Sequence, residues 1–540
     1  MKKFLTKNWI LITIFILGLS ISWPLLRSGY FSHQDDLQVI RLVEMRTCFS
    51  DLQIPCRWVP DMGWGNGFPL FNFYGVSTYY IGAIISYLTG FLVASKILFY
   101  IALTFGSYGM YLLVKELWGK YAGLTSSILY MFAPYKALDI YVRGALSESM
   151  ALAIIPFVLF YAYKKNYKLF SLTLFFFLIT HNIMTIVFLP VVLLWAFYLL
   201  LTNKFKDIKS FVVAFAIAFG LSAFFILPAF LEKGLVQTES LTRFELDYRA
   251  NFISIKQLFL DRVWGYGTSI PGPEGGMNFS IGWPHWVLAF VSLFVIFVKK
   301  IDKNTKYLAL CTFVLFMMSA LMTHNKSTII WEHIKILTFF QFPWRFLSLS
   351  ILTASILGGV VVTFFKEKFQ IYAALIVVVI TVLLNWSYFK PREFFNVTES
   401  QKLSGDMWEA QRRGAVLDYL PKTALEPREG APTIPLITAG KADITNFVNK
   451  SNRFEFDAKI IEDATIHVPT YYFPNWQVEV DGKVYPVSFD NYLGRISINL
   501  TEGNYHVVGN FRNTPIRNIG NIITLISIAG LIKLWKKRKK

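Results

Sequence analysis

Charge is scarce in this sequence: 16% of its 540 residues are Asp, Glu, Lys or Arg, against 54% that are hydrophobic. A chain this apolar cannot be mostly a water-soluble globule. Phosphate-binding motifs are missing too. No Gly-rich loop runs into Lys-Ser or Lys-Thr, and neither Cys-x-x-Cys nor His-Glu-x-x-His occurs, so nucleotide-driven transport within this chain has nothing to rest on. There is no internal repeat and no low-complexity tract. Of the three cysteines, Cys48 and Cys56 share one loop with seven residues between them, and Cys311 lies inside an apolar run. An oxidising exterior permits a Cys48–Cys56 disulfide, and two free thiols are the open alternative.

What is present is a series of apolar runs, with a mean hydropathy of +0.46. A hydrocarbon core of roughly 30 Å takes about 20 helical residues to cross. Runs of that order lie near 9–26, 95–114, 183–202, 211–230, 284–298, 307–323, 343–364, 370–388 and 517–535, with shorter or more polar candidates near 72–90, 121–134, 149–163 and 169–180. The net charge of +19 sits mostly between these runs: Lys2, Lys3 and Lys7, then 115–120, 164–168, 203–209, 299–306, 365–369 and 535–540. Cations so placed read as cytoplasmic anchors under the positive-inside rule, which argues against nucleic acid as a partner. The first run lacks a small-residue cleavage site and reads as a retained signal-anchor helix. Both termini are then cytoplasmic, which needs an even number of crossings. Thirteen candidates exceed that by one, and 72–90, rich in Tyr, Ser and Gly, is the choice for a half-buried or re-entrant helix.

This topology expects a multi-pass membrane domain over 1–388 with outer loops 27–71 and 232–283. From Pro391 the hydrophobic runs stop and period-two alternation begins, in 454–460, 464–470, 476–487, 495–500 and 504–511, with an Asp481-Gly482 hairpin turn. The segment 389–516 is therefore expected to be an extracytoplasmic β-sandwich-like domain, followed by a last helix and basic tail over 517–540.

The first outer loop carries His33, Asp35 and Asp36 at the membrane edge. Two adjacent carboxylates there need a positive partner, a metal or a helix N-terminus. A helix cap over 37–49 accounts for one Asp and leaves the other, and His33, without a role. Further outward-facing polar groups recur at span ends: Arg143 and Glu148 in YKALDIYVRGALSESMA, His181 and Asn182 in ITHNIMT, and Arg345 in FFQFPWRFLSLS. Simpler readings exist for each. A lone arginine can snorkel, Glu148 can pair with Arg143, and Trp58, Trp64 and the aromatics of 68–80 fit an interfacial belt better than a sugar-stacking surface. Convergence of acidic and basic groups at several outer ends is what favours a cavity open outward and to the lipid.

The run H-x-D-D-x-Q-x-x-R-x-x-E-M from His33 to Met45, with IPCRWVPDMGWGNGFPLFNFYG after it, resembles the opening of bacterial multi-pass proteins labelled YfhO-like or 6-pyruvoyl-tetrahydropterin-synthase-related. YVRGALSES, THN, QFPWRF and YYFPNWQVEVDGK…GNYHVVGNFRNTPIR resemble the same group, so the likeness covers nearly the whole chain except 232–283. That group is in turn similar to the C-type (GT-C) glycosyltransferase superfamily. One departure is that FPLFNFYGVSTYY carries a single Pro69 where many such enzymes have Pro-Pro. The resemblance implies a polytopic α-helical fold of about 12–13 spans and a sugar donor hung on polyprenyl phosphate. Inverting transfer would follow, to a cell-envelope glycan or glycoconjugate, at the outer face of the cell membrane. Asp35 or Asp36 would be the base. Arg345, with Arg143 or Arg41 as lesser candidates, would hold the departing phosphate, and His33 and Glu148 would position the acceptor. A divalent cation such as Mg or Mn, held by Asp35 and Asp36, is optional. The alternative of another class is a non-catalytic protein that exports or handles an envelope polymer. It predicts polar residues through the depth of the spans. A scaffold reading would leave Asp35, Asp36 and Arg345 without a shared purpose.

Overall fold

The computed structural model describes residues 2–242, 244–270, 276–298 and 302–536. The basic anchors at Lys299, Lys300 and 537–540 lie outside the described residues. The chain forms two compact units, one of Met1–Asp36, Lys96–Ala218 and Leu241–Asn396, the other of Leu37–Ser95, Phe219–Ser240 and Val397–Lys540. The first loop is divided: 27–36 belong to the first unit, and from Leu37 on it clusters with the β-rich segment.

Among the described residues seven helices are long and apolar enough to cross a membrane: Phe91–Trp118, Leu146–Tyr163, Asn182–Thr202, Lys303–Met322, Pro343–Val362, Glu367–Tyr388 and Pro515–Lys533. This is a multi-pass membrane protein. Asn8–Ile21, Tyr167–Leu178 and Trp283–Val298 are shorter apolar helices. The run 149–163 is a full-length helix, whereas 121–134 yields only Lys120–Met131, because Pro134 opens a new helix. The 72–90 candidate divides into Leu70–Phe73 and Ser77–Thr89.

The run 211–230 is not one helix. It breaks into Ile208–Leu221 and Ala223–Leu231, bent by 68°. Pro228 lacks an N–H for the carbonyl of Phe224, so that carbonyl needs another donor. It accepts from Arg57 Nη2 at 3.0 Å, while the Phe224 N–H donates to Thr524 Oγ1 at 3.0 Å. Arg57 of the first loop and Thr524 of the C-terminal helix thus supply the hydrogen bonds that the broken helix gives up.

Helix Leu347–Val362 is buried along its whole length. Three of its hydroxyls are spent on backbone one turn back, Ser348 to Arg345, Thr353 to Leu349 and Ser355 to Ile351, while Ser350 Oγ lies 2.8 Å from Ser319 Oγ of Lys303–Met322. A Cβ on Gly358 would fall 2.2 Å from Leu129 Cδ1, and one on Gly359 would fall 2.4 Å from Ser126 Oγ. Small residues let this helix and Lys120–Met131 touch closely, the usual way helices associate where lipid offers no hydrophobic drive.

Two two-residue strands, β1 (Tyr30–Phe31) and β2 (Phe394–Phe395), pair antiparallel in the first unit. The second unit carries the sheet: β3 (Leu436–Asn449), β4 (Arg453–Tyr471), β5 (Trp476–Val480), β6 (Lys483–Tyr485), β7 (Arg495–Leu500) and β8 (Gly503–Phe511), in the order β3-β4-β8-β5-β6 with β7 on β4. The segments 454–460 and 464–470 are one 19-residue strand, β4, whose first half pairs with β8 and second half with β7. Phe454, Phe456, Ile466, Trp476, Val478, Ile496 and Ile498 point into its core together with Trp58. Asp481 and Gly482 both have positive φ, 49° and 75°, as the two-residue turn between β5 and β6 requires. Strand β3 went unforeseen because its side chains are nearly all exposed and bulges interrupt its pairing, which leaves no alternation to read.

The helix expected over 37–49 is Gln38–Ser50. Its Glu44 is fully buried, and Oε1 accepts the N–H groups of Asp61 (3.0 Å) and Met62 (2.8 Å), fastening the turn that opens MGWGNG. Burial first, and the Asp61 charge second, hold the Glu44 carboxyl well above the usual carboxylate range. A carboxyl that keeps its proton longer in the folded than in the unfolded state loses stabilisation as pH rises from its unfolded value of about 4.5 toward its folded one. Glu44→Gln keeps the acceptor oxygen and removes the titration. Thermal unfolding of the variant is therefore expected to be as stable as wild type or more so near pH 7, with a shallower decline across that window; an unchanged slope refutes the assignment.

Cys48 and Cys56 form a disulfide with Cα atoms 5.5 Å apart, and Cys311 is free. Closing so short a loop is worth about 2–3 kcal/mol by chain entropy. Non-reducing peptide mapping should find 48 joined to 56, and Cys48→Ser with Cys56→Ser should lower the unfolding midpoint by a corresponding amount.

Candidate functional site

The residues from Ser32 to Asp36 run extended along the backbone of the first unit. Ser32 N donates to Glu393 O (3.0 Å), Gln34 N to Val142 O (2.9 Å) and Asp35 N to Arg143 O (2.8 Å). Gln34 Nε2 also donates to Gly267 O at 2.8 Å. The His33 side chain has no exposed surface. Its ring packs among Tyr30, Phe31 and Phe99, with centroids 5.5, 5.0 and 6.0 Å away. A Cβ on Gly144 would lie 2.1 Å from the His33 ring, and Gly144 has φ +69°. The ring expected to bind substrate is instead enclosed, with Nδ1 3.9 Å from Asp36 Oδ1. Asp36 keeps 45% of its side chain exposed, and Asp35 is half-buried.

The carbonyls that receive Gln34 and Asp35 belong to a π-helical turn, Asp139–Arg143, which follows the short Pro134–Leu138 helix and ends at left-handed Gly144. The turn brings the Arg143 guanidinium onto Asp139. Arg143 Nη1 lies 3.0 Å from Glu148 Oε2, and its guanidinium lies 4.6 Å from the ring centre of Trp344. Arg345 reaches the same oxygen, with Nε 3.3 Å from Glu148 Oε2, while its Nη1 donates to Phe340 O (2.7 Å) and Gln341 Oε1 (3.1 Å). The hydroxyl of Tyr135 donates to the other Glu148 oxygen. All of these charged groups are buried.

His181 is the N-cap of Asn182–Thr202, and its Nδ1 accepts the Met184 N–H at 3.2 Å. That bond assigns the proton of the neutral ring to Nε2. Burial, against the pull of Glu148, holds His181 down to about 4, so the ring is neutral at physiological pH. Asn182 beside it is exposed. Arg41 belongs to the second unit, where its guanidinium lies 4.5 Å from the ring centre of Tyr74. Burial and the neighbouring Glu148 push the Asp139 carboxyl up, against the pull of Arg143 and Arg345.

The structure therefore brings Arg143, Glu148 and Arg345 into direct contact and sets the 33–36 segment on the same turn. Asp139, Tyr135 and Trp344 were not foreseen. The i,i+4 spacing of Asp139 and Arg143 was a usable signal for the first. Among the described residues no three His, Cys, Asp or Glu side chains gather as a metal ion's ligands do.

No protein-family model matches this chain, and no curated protein matches it in sequence. Among solved structures it is similar to the Archaeoglobus fulgidus oligosaccharyltransferase tethered to an acceptor peptide containing the NVT sequon, at 12% identity over 77% of this chain and 64% of that one, with a TM-score of 0.46. It is also similar to the arabinofuranosyltransferase AftD from Mycobacteria, at 13% identity over 73% of this chain and 28% of that one, TM-score 0.44. A third is the oligosaccharyltransferase AglB from Archaeoglobus fulgidus in complex with an inhibitory peptide and a dolichol-phosphate, at 10% identity over 79% and 65%, TM-score 0.41. The chain spans less than two thirds of the length of each.

Glu148 is the only carboxylate that touches both arginines through side-chain contacts among the described residues. Glu148→Ala leaves two buried guanidiniums short of a counter-ion, a loss of about 3–5 kcal/mol when one partner of a buried pair is removed. Thermal unfolding in detergent should show it. A midpoint equal to that of wild type would mean that the cluster is solvated.

Proposed function

We propose that this protein is an integral-membrane glycosyltransferase that moves a sugar from a polyprenyl-phosphate carrier to a cell-envelope acceptor on the outer face. The observation that carries the reading is the sorting of the 33–45 segment by burial. His33 is enclosed by rings, Gln38, Arg41 and Glu44 are buried, and Asp35 and Asp36 are the carboxylates left half-exposed. They sit on the turn whose Arg143 side chain shares Glu148 with Arg345.

In the proposed step, Asp35 or Asp36 takes the proton of the acceptor hydroxyl as its oxygen attacks the anomeric carbon. The new glycosidic C–O bond forms while the C–O bond to the carrier phosphate breaks, and the phosphate leaves with the electron pair. Attack from the face opposite the leaving group inverts the centre. The charge gained by the phosphate would be held by Arg345 and Arg143, whose orientation Glu148, Asp139 and the Phe340 carbonyl already fix, so little reorganisation is needed as charge develops. In this reading His33 anchors the acidic segment, and His181 stays neutral beside the arginines, with exposed Asn182 next to it. The termini are cytoplasmic and the β-rich domain is extracytoplasmic, as the basic anchors between spans imply. The conduit alternative needs an open polar path. In the Leu347–Val362 helix the hydroxyls of Ser348, Thr353 and Ser355 instead bond backbone carbonyls one turn back, Ser350 meets Ser319, and the glycines are in close contact with Lys120–Met131.

Purified protein incubated with labelled polyprenyl-phosphate sugars and envelope glycan should form labelled product. Asp35→Asn and Asp36→Asn should insert normally while at least one loses about 10²–10⁴-fold in transfer, the range of a positioned general base. Wild-type transfer in both variants eliminates them as the base.

A further inference from the structure

The second unit exposes a strip of large apolar side chains that the proposed chemistry does not use. In the Ser77–Thr89 helix, Ser77, Thr78, Tyr79, Gly82, Ala83 and Ser86 are buried, while Ile84, Tyr87 and Leu88 face outward at 62%, 57% and 89% exposure. Beside it the disulfide-closed loop carries Leu52 and Ile54, exposed at 81% and 71%. This loop alternates. Asp51 Oδ2 accepts the Ser451 N–H at 2.7 Å and Gln53 Nε2 donates to Ser451 O at 3.0 Å, so 51 and 53 hold the β3–β4 turn. Leu52 and Ile54 point away from it. Leu52 moreover sits at φ 58°, a left-handed conformation that a leucine adopts only at a cost.

Loop and helix form one surface. Phe49 stacks on Tyr80 at 5.7 Å, and the Cys56 N–H donates to the Tyr80 hydroxyl at 3.2 Å. Tyr80, Ile84 and Leu88 then follow at i, i+4 and i+8 along one helix face. The strip also has a defined level. One residue, Gly90 (φ 78°), joins the helix to Phe91–Trp118, which is long and apolar enough to span a membrane. Arg46 closes the junction, its guanidinium 4.1 Å from the ring centre of Phe91 and 5.2 Å from that of Tyr87, with Nη1 3.4 Å from Ser86 O. Arginine over aromatic rings at the end of a span is the chemistry of the headgroup region.

We propose that Leu52, Ile54, Ile84, Tyr87 and Leu88 form a monotopic membrane-insertion surface, whose partner is the acyl region of the leaflet in which the Phe91–Trp118 span begins. An interfacial amphipathic helix buries its apolar face about 5–10 Å into the headgroup–acyl boundary, which this strip matches in residue type and in its direct continuity with a spanning helix. The surface holds the loop, and the β3–β4 turn fastened to it, at a set depth. None of this depends on the proposed transferase activity.

The test uses the full chain in phosphatidylcholine–phosphatidylglycerol nanodiscs. In a Cys311→Ser background, Leu88→Cys carrying bimane should be quenched several-fold more strongly by lipid with doxyl at acyl carbon 5 than by aqueous iodide. Val484→Cys on the β-rich domain serves as the water-exposed control. In the unaltered protein, an acyl-chain diazirine lipid should label the peptide containing Leu52 and Ile54. Iodide quenching of the Leu88 probe equal to that of the control, or labelling of the 52–54 peptide only by a water-borne reagent, overturns the proposal. Protection from both lipid and aqueous probes overturns it equally, since a second copy or another protein then covers the strip.

Discussion

The interaction on which the rest of the first unit depends is the sharing of one carboxylate, Glu148, by two arginines, Arg143 and Arg345. Buried charge is stable only when its counter-charge and hydrogen bonds are complete. Here completion takes two separate stretches of chain, 135–148 and 340–345, including the Tyr135 hydroxyl and the Phe340 carbonyl. Because Arg143 must reach Glu148 and Asp139 together, the backbone from 139 to 143 takes up a wide π turn, closed by Gly144 in a conformation that suits glycine. The carbonyls of Val142 and Arg143 are thereby presented to Gln34 and Asp35. The position of the acidic segment is a consequence of an ion cluster that lies behind it.

The same rule operates where the helices are irregular. A carbonyl freed by Pro228 would be costly in an apolar surround, and Arg57 supplies the missing donor while also donating to Asn72 and Asn521. Glu232 accepts from Asn72, Thr514 and Arg517, and Arg517 lies 5.2 and 5.0 Å from the ring centres of Phe473 and Phe511. Among the described residues, polar groups in the apolar parts are in some places bonded within their own helix, as Thr353 and Ser355 are, in others bonded across helices, as Ser350 is to Ser319 and Tyr130 to Leu152, and in others gathered into charge clusters at helix ends and breaks.

Long apolar runs, the period-two strands and the Asp481-Gly482 turn were legible because each rests on a local pattern: length, alternation, or a residue pair suited to positive φ. What escaped depends on partners distant in sequence. The break at Ser222 is stabilised by Thr524 and Arg57, neither of which is visible from the run 211–230. Strand β3 is defined by its pairing with β4 and carries no pattern of its own. Arg143, Glu148 and Arg345 were singled out as polar groups at span ends, yet their mutual contact, and the part of Asp139, could not be read without the turn that assembles them. The open question over Cys48 and Cys56 was of the same kind, since spacing permits a bond and only the loop's conformation makes it.

His33 shows how type and environment divide the work within a short polar run. Next to two aspartates, a histidine suggests shared chemistry, but the structure packs this ring among Tyr30, Phe31 and Phe99 and against Gly144. Glu44, eight residues past Asp36, is likewise spent, because its carboxyl receives two backbone N–H groups in a buried setting. Burying the first and the last acid-base groups of the run leaves Asp35 and Asp36 as its partly exposed carboxylates, which is why the proposed reading brings the acceptor hydroxyl to them. Their neighbours fix where they stand: His33 by packing against rings, Gln34 by binding the Gly267 carbonyl, and the Arg143 carbonyl by receiving the Asp35 N–H. A carboxylate held by its backbone while its side chain stays half-exposed has fixed geometry without full desolvation, the combination that a base poised at a membrane surface requires.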